Sequence, residues 1–365
     1  MNRCNELRVD TAEWQDGSAL HAPSGAVQLI KRLSYVVLAV LVFSGCRKDP
    51  GFPDEERNMP FPLQLPIGFP FPAIPADNPL TTASVELGKA LFFDPRLSRD
   101  GSVSCASCHL PELAFSDTVA LSIGIEGRSG VRNSPSLGNL AYHNAFFRDG
   151  GVPTLEQQVI APIHDPVEMD HDIQAAAAAL REVEPYKRLS MLAYGRPFDA
   201  WVLSRAIANY ERTLISGWSR WDRWVNGDAT AMTEAEVRGW QLFSSAELNC
   251  TACHGGFDFS DHGFHNIGQY LDYADPGRER ISLRPEDFGK FKTPSLRNVA
   301  RTAPYLHDGM LASLEEVVDH FASGGLPHPN RSPLLQTFVL DAHEKTDLIA
   351  FLNALNDERS LDQVP

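Results

Sequence analysis

The chain is short of cysteine, of basic charge and of long apolar runs. Lys and Arg number 32 against 47 Asp and Glu, a net charge of −15 over 365 residues. Such acidity disfavours nucleic acid as a partner and favours a basic or neutral protein. The apolar run from Tyr35 to Phe43 has nine residues, where a membrane-spanning helix needs about 20. With Lys31 and Arg32 ahead of it, it reads as the centre of an export signal rather than a span. No sustained alternation of apolar and polar residues runs along the chain, which excludes a large half-buried sheet. The fold class expected is mainly α.

The six cysteines are placed with economy. Four form Cys105-Ala106-Ser107-Cys108-His109 and Cys250-Thr251-Ala252-Cys253-His254, two complete C-x-x-C-H signatures. In such a pentapeptide each thiol can add to a haem vinyl group, and the adjacent imidazole reaches the iron as its axial ligand. A shared zinc tetrahedron or two redox dithiols would explain the cysteine pairs, but neither needs a histidine after both. The reading is two covalently bound haem c groups, held by Cys105, Cys108 and His109 and by Cys250, Cys253 and His254. Cys46 follows Ser44-Gly45 as in a bacterial lipobox, although Phe43 stands where that motif usually has Leu. It is the expected lipid anchor of an exported, periplasm-facing lipoprotein of a Gram-negative-type bacterium; ordinary signal cleavage, with Cys46 as a free thiol, is the alternative. About thirty residues precede the basic pair and have no place in a compact signal, so the start is read as over-extended and Cys4 as outside the mature protein. No cysteine pair is left for a structural disulfide.

Each haem motif sits in the same context. Leu87-Gly88-Lys89-Ala90-Leu91-Phe92 precedes the first and Arg238-Gly239-Trp240-Gln241-Leu242-Phe243 the second. Ser134-Pro135-Ser136-Leu137-Gly138-Asn139 answers Thr293-Pro294-Ser295-Leu296-Arg297-Asn298. Asp149-Gly150 answers Asp308-Gly309, and Thr154-Leu155-Glu156 answers Ser313-Leu314-Glu315. Internal duplication into two tandem cytochrome c-like haem domains is the simplest account. Thr233 with Glu236, and Ser313 with Glu316, form capping-box patterns. Leu203, Ile207, Tyr210 and Leu214, and Leu348, Phe351, Leu352 and Leu355, are apolar stripes at helical spacing, read as core. The expected division is an export signal over 1–45, a Pro-rich tether or strap over 46–80, an amino-terminal haem domain over 81–225 and a carboxy-terminal one over 226–365.

These motifs, together with Arg132-Asn133-Ser134-Pro135-Ser136-Leu137 and Ala303-Pro304-Tyr305-Leu306-His307-Asp308-Gly309, give a chain that resembles the bacterial dihaem cytochrome c peroxidases and the MauG-type enzymes of that superfamily, from about Glu86 to Leu355. The resemblance implies a peroxidatic haem at His109, an electron-transfer haem at His254 and a calcium ion between them. It places the distal acid on Glu168 and a companion amide on Gln158. A carboxylate within reach of peroxide can take a proton from one oxygen and return it to the other. Calcium ligands fall on the Asn133 side chain and the carbonyls of Thr302 and Pro304, with waters completing the shell. Partners implied are hydrogen peroxide and a small donor, cytochrome c or a cupredoxin, with a homodimer left open.

Three positions depart from the family pattern. Ser122-Ile123-Gly124-Ile125 has isoleucine where typical peroxidases carry a blocking histidine, whose release requires prior reduction of the second haem. Phe321 stands where the second haem usually finds a methionine or tyrosine ligand, leaving Met310 and His320 as candidate substitutes. Arg148 replaces the tryptophan usually placed between the haems. His164 is a candidate for the distal pocket, and His307 for the space between the haems. His262, His265 and His328 read as loop residues, and His143, His171 and His343 as surface or core ones. The leading expectation is peroxide reduction. A MauG-like oxidase acting on a partner protein or small organic substrate is the alternative, and a dihaem electron carrier without enzymatic activity the third reading.

Overall fold

The structure, a computed structural model, describes residues 58–363. The export-signal reading, Cys46 and the first part of the Pro-rich segment lie outside the described residues. Among those described, no helix is long and apolar enough to cross a membrane. The architecture is mainly helical. One two-stranded antiparallel sheet pairs β1 (Phe264–His265) with β2 (Phe291–Lys292), Phe264 opposite Lys292.

The first half is organised by two helices that cross. α1 (Thr82–Phe92) starts at Thr81, whose hydroxyl accepts from Ser84 N while Ser84 reciprocates at the Thr81 N–H. It buries Val85, Leu87, Leu91 and Phe92. The partner follows three further helices, α2 (Leu155–Gln158), α3 (Ile160–His164) and α4 (Ile173–Leu180), and then α5 (Tyr186–Tyr194). It is α6 (Ala200–Arg212), capped by Asp199, and it buries Leu203, Ile207 and Tyr210. Phe92, Phe115 and Tyr210 meet edge to face in this core, and each ring so buried stabilises the fold by about 1.5–3 kcal/mol.

The second half repeats the arrangement after α7 (Arg220–Val225). α8 (Glu234–Phe243) carries the full Thr233–Glu236 capping box. After the short α9 (Glu279–Ser282) and α10 (Leu314–Ala322), it meets α11 (Ala342–Ala354), which is capped by Asp341 and Glu344. The buried apolar residues form two clusters, one around Leu91, Phe92 and Tyr210, the other around Phe243, Phe351 and Leu355. The Ser313 box is half as expected: Ser313 accepts from Glu316 N, but the Glu316 carboxylate reaches back to Ala312 N at 2.6 Å.

Glycine sets the closeness of both crossings. A Cβ on Gly88 would lie 1.9 Å from the Ala206 carbonyl oxygen, and one on Gly239 would lie 1.9 Å from that of Asp347. Backbone atoms inside rigid helices cannot yield, so Gly239→Ala is expected to cost about 3 kcal/mol, the upper end of the range for overpacking. Urea denaturation of the haem-loaded protein measures it, the midpoint moving while the slope stays constant.

The described Pro-rich residues lie as a strap against both halves. Phe69 packs edge to face on Tyr142 and Phe257, the Arg297 guanidinium covers its ring, and the Tyr142 hydroxyl donates to the Pro70 carbonyl.

Candidate active site

Each C-x-x-C-H motif folds as a single 3-10 turn, over Cys105–Ser107 and over Cys250–Ala252. The chain then turns through a left-handed residue, Phe115 or Phe259, whose carbonyl swings back onto the histidine. The His109 Nδ1 lies 2.9 Å from the Phe115 oxygen, and the His254 Nδ1 lies 2.9 Å from that of Phe259. A carbonyl can only accept, so each Nδ1 carries the proton and each Nε2 keeps its lone pair. Burial pushes both imidazoles below their ordinary range, which keeps them neutral.

The loop that follows is held alike in both halves. Ser116 Oγ donates to Ser134 O at 2.9 Å and Ser260 Oγ to Thr293 O at 2.8 Å. Ser136 Oγ donates to Ala114 O at 2.6 Å and Ser295 Oγ to Asp258 O at 2.7 Å. Asn139 and Asn298 both take left-handed φ and donate their backbone N–H to Leu214 and Leu355 respectively, at the ends of α6 and α11.

A cavity of about 820 Å³ opens beside His109. Cys105, Cys108, His109, Asn133, Gln158, Glu168, Thr302 and Pro304 all line it. Glu168 sits on the turn after α3, where its backbone carbonyl accepts from Ile125 N at 2.8 Å. It lines this cavity, and burial, with a smaller contribution from Asp165, pushes its carboxyl up to about 7. Gln158 closes α2, ten residues earlier, and lines the same cavity. Ile125 is fully buried and does not line the cavity. His164 does not line it either: its Nε2 accepts from Ile173 N at 3.4 Å. Neither position presents an imidazole opposite His109.

Residues 82–230 match the di-haem cytochrome c peroxidase family. Over 296 residues the chain is 41% identical to methylamine utilization protein MauG of Methylorubrum extorquens, covering 80% of this chain and 83% of that protein. The chain belongs to the di-haem cytochrome c peroxidase family. Cytochrome c551 peroxidase of Nitrosomonas europaea is 32% identical over 303 residues, 81% of this chain and 86% of that one. Among solved structures, a MauG-like protein associated with microbial copper homeostasis superposes with a TM-score of 0.78 at 36% identity, covering 84% of this chain and 98% of that one. As a member of this family the protein is an oxidoreductase, and two haem c groups are its cofactors.

The residues around His109 fit such a group, and those around His254 repeat its local turn and Nδ1 bond. The cavity lies within the roughly 300–1,000 Å³ range of cofactor sites, and it brings both Cys105 and Cys108 to one wall with the free Nε2 face of a neutral His109. Burial pushes the Cys108 thiol to about 11 and the Cys250 thiol to about 12, values of thiols that stay protonated rather than of thiolates gripping a metal.

The Asn133 oxygen, as placed, does not fit calcium. Arg148 donates to the Asn133 side-chain oxygen at 2.6 Å and, through Nε, to its backbone carbonyl at 3.1 Å. A calcium ion within its bonding distance of about 2.3–2.6 Å of that oxygen would meet a buried guanidinium. At Asn133 the chain supplies its own cation where the resemblance implied a metal, while Thr302 and Pro304 line the same cavity. Dialysis against a calcium chelator is therefore expected to leave peroxide turnover within about twofold of its starting value, because Arg148 already occupies the Asn133 oxygen.

The candidates for the sixth ligand of the second haem fare differently. Met310 is 61% exposed, and His320 Nε2 lies 3.1 Å from the Ile267 carbonyl. His307 is buried and stacks on Phe291 with ring centroids 3.8 Å apart.

Sequence reasoning missed Glu211. It is buried on α6, lines the cavity, and burial pushes its carboxyl up to about 8. Its Oε2 has no hydrogen-bond partner. The signal was available: Glu211 is four residues after Ile207, on the apolar stripe itself, where a charge is out of place.

Proposed function

We propose that the protein reduces hydrogen peroxide to water with electrons from a small cytochrome c or cupredoxin. The observation that carries this reading is Glu168, a carboxyl tuned to about 7 on the wall of the His109 cavity, since a proton shuttle works best near the operating pH. When bound, the haem irons supply the peroxide-binding site and the path for two electrons. His109 and His254 would hold them, each fixed by its Nδ1–H bond to a backbone carbonyl. Glu168 takes the proton from the peroxide oxygen nearer His109 and returns it to the outer oxygen, which leaves as water. Gln158 orients the peroxide through its amide. Two protons and two electrons per peroxide yield two waters.

The parallel hydrogen bonds around His109 and His254, and the parallel glycine crossings, support descent of the two halves from one duplicated haem domain. Export to the periplasm with acylation at Cys46 belongs to the same reading, which rests there on the order of basic pair, apolar run and cysteine.

A MauG-like oxidase is the second reading, favoured by the 41% identity to a MauG protein. Steady-state turnover of peroxide with reduced cytochrome c and reduced cupredoxin separates the two. Donor oxidation at two electrons per peroxide supports the peroxidase. Peroxide-dependent oxidation of a partner protein, with no donor consumed, supports the oxidase.

A further inference from the structure

The strongest unassigned cluster joins the two halves. His143 lies just after the Leu140–Tyr142 turn, while Asp258 and His262 flank Phe259, the residue whose carbonyl holds His254. Three donor atoms, one from each of the three side chains, fall within 4.8 Å of one another. The Asp258 Oδ2 is 3.6 Å from His143 Nε2 and 3.5 Å from His262 Nε2. Neither distance is a hydrogen bond, and both Asp258 Oδ2 and His143 Nε2 are buried without a partner. The other oxygen of Asp258 is satisfied by Asn139 at 2.7 Å and Ser295 at 3.2 Å. That holds the carboxylate so that Oδ2 is aimed at the two rings.

The His262 tautomer follows from its neighbour. The Ser260 hydroxyl donates to Thr293 O, so it can only accept from His262 Nδ1, 3.5 Å away. His262 Nε2 then presents a lone pair to a carboxylate oxygen. His143 Nδ1 is 2.9 Å from Lys292 Nζ, which also donates to Ala145 O at 2.7 Å. These contacts fix the His143 ring with its Nε2 turned toward Asp258 Oδ2. Two buried, unpartnered polar atoms converging with a third donor atom leave a desolvation cost that a bound cation would offset.

The geometry points to a divalent transition-metal site formed by His143, Asp258 and His262, with a fourth, open position. Bonds of about 2.0–2.2 Å in a tetrahedron separate ligand atoms by roughly 3.3–3.6 Å, which spans the two distances found. Two imidazoles and one carboxylate suit zinc or copper(II) rather than calcium or magnesium. The ion would tie the first half of the molecule to the loop that positions His254. This assignment is independent of the peroxidase reading, because it concerns other side chains and is read by metal binding.

The test uses the haem-loaded protein, stripped with a chelator and titrated with zinc alone. One zinc per chain is expected to remain after gel filtration. Asp258→Asn, which can keep the bonds to Asn139 and Ser295, and His262→Ala should each weaken binding by on the order of 10²-fold or more, the scale on which even supporting residues act, with haem absorbance unchanged. His265→Ala should bind zinc as the parent does, although His265 lies 2.8 Å from Asp261 in a second, more exposed cluster. X-ray absorption of the zinc-loaded parent, which needs no variant to fold, should show two imidazoles and oxygen at about 2.0–2.2 Å. Absence of stoichiometric zinc, a sulfur or all-oxygen shell, or parental affinity in both Asp258→Asn and His262→Ala would overturn the assignment.

Discussion

Glu168→Gln is expected to keep both haems attached while slowing peroxide cleavage by 10²- to 10⁴-fold, on the order of what a positioned acid–base group contributes. The amide has almost the shape of the carboxyl, so the cavity wall is preserved and the proton relay alone is lost. The pH profile carries the same information. As a base Glu168 must be ionised, so the rate of peroxide cleavage should rise with pH through about 7, where burial has placed its carboxyl, and the glutamine variant should lack that rise. Stability runs the other way. The folded protein binds this proton more tightly than the unfolded chain, so between the ordinary carboxyl value of 4.5 and about 7 stability falls as pH rises. In the variant that slope should be shallower. Stopped-flow mixing with peroxide across pH 5–9 is the measurement. A parental rate and an unchanged profile would remove Glu168 from the chemistry and, with it, the observation on which the peroxidase reading rests.

Much of this site was legible in the sequence because covalent chemistry and helix periodicity leave local marks. C-x-x-C-H is a pentapeptide, and the stripes of α6 and α11, with the Thr233–Glu236 box, occupy single turns or single helices. The caps fell where Thr233 and Ser313 suggested. What stayed hidden depends on loops meeting across the fold. The Arg148 to Asn133 bond spans 15 residues of irregular chain, and Lys292 reaches His143 across 149. Neither pairing has a period to reveal it, so His143 and His262 looked like ordinary surface, core or loop histidines. Arg148 shows the limit of reasoning from a family pattern. Arginine could be recognised as a departure from tryptophan, yet only its placement shows that it delivers a positive charge to the oxygen assigned to calcium. Glu211 is a different case, a charge on an apolar stripe that periodicity alone could have flagged.

The fully oxidised protein is expected to consume peroxide at once, with no lag and no requirement for a prior electron. Family members with a blocking histidine must first be reduced, and the loop here has no imidazole to offer. Ile125 is fully buried, its N–H bound to the Glu168 carbonyl, and His164 is occupied at Ile173 N. The Ser122–Ile125 loop has become a buttress for the acid instead. A Cβ on Gly124 would lie 2.2 Å from Val167 O and 2.5 Å from Glu168 O, so Gly124→Ala must displace the turn that carries Glu168. A shift of about 1 Å at a reacting group can cost 10²-fold, and a loss of that order is expected. Gly124 acts through position alone. Its variant should therefore also move the midpoint of the pH profile, because Glu168 changes surroundings, while the oxidised protein still reacts without a lag. Electron paramagnetic resonance of the oxidised parent should show a high-spin ferric signal that substitution of His109 perturbs. Two low-spin signals, with no peroxide consumed until an electron is added, would mean that another side chain closes the site and that the loop gates the iron rather than bracing the acid.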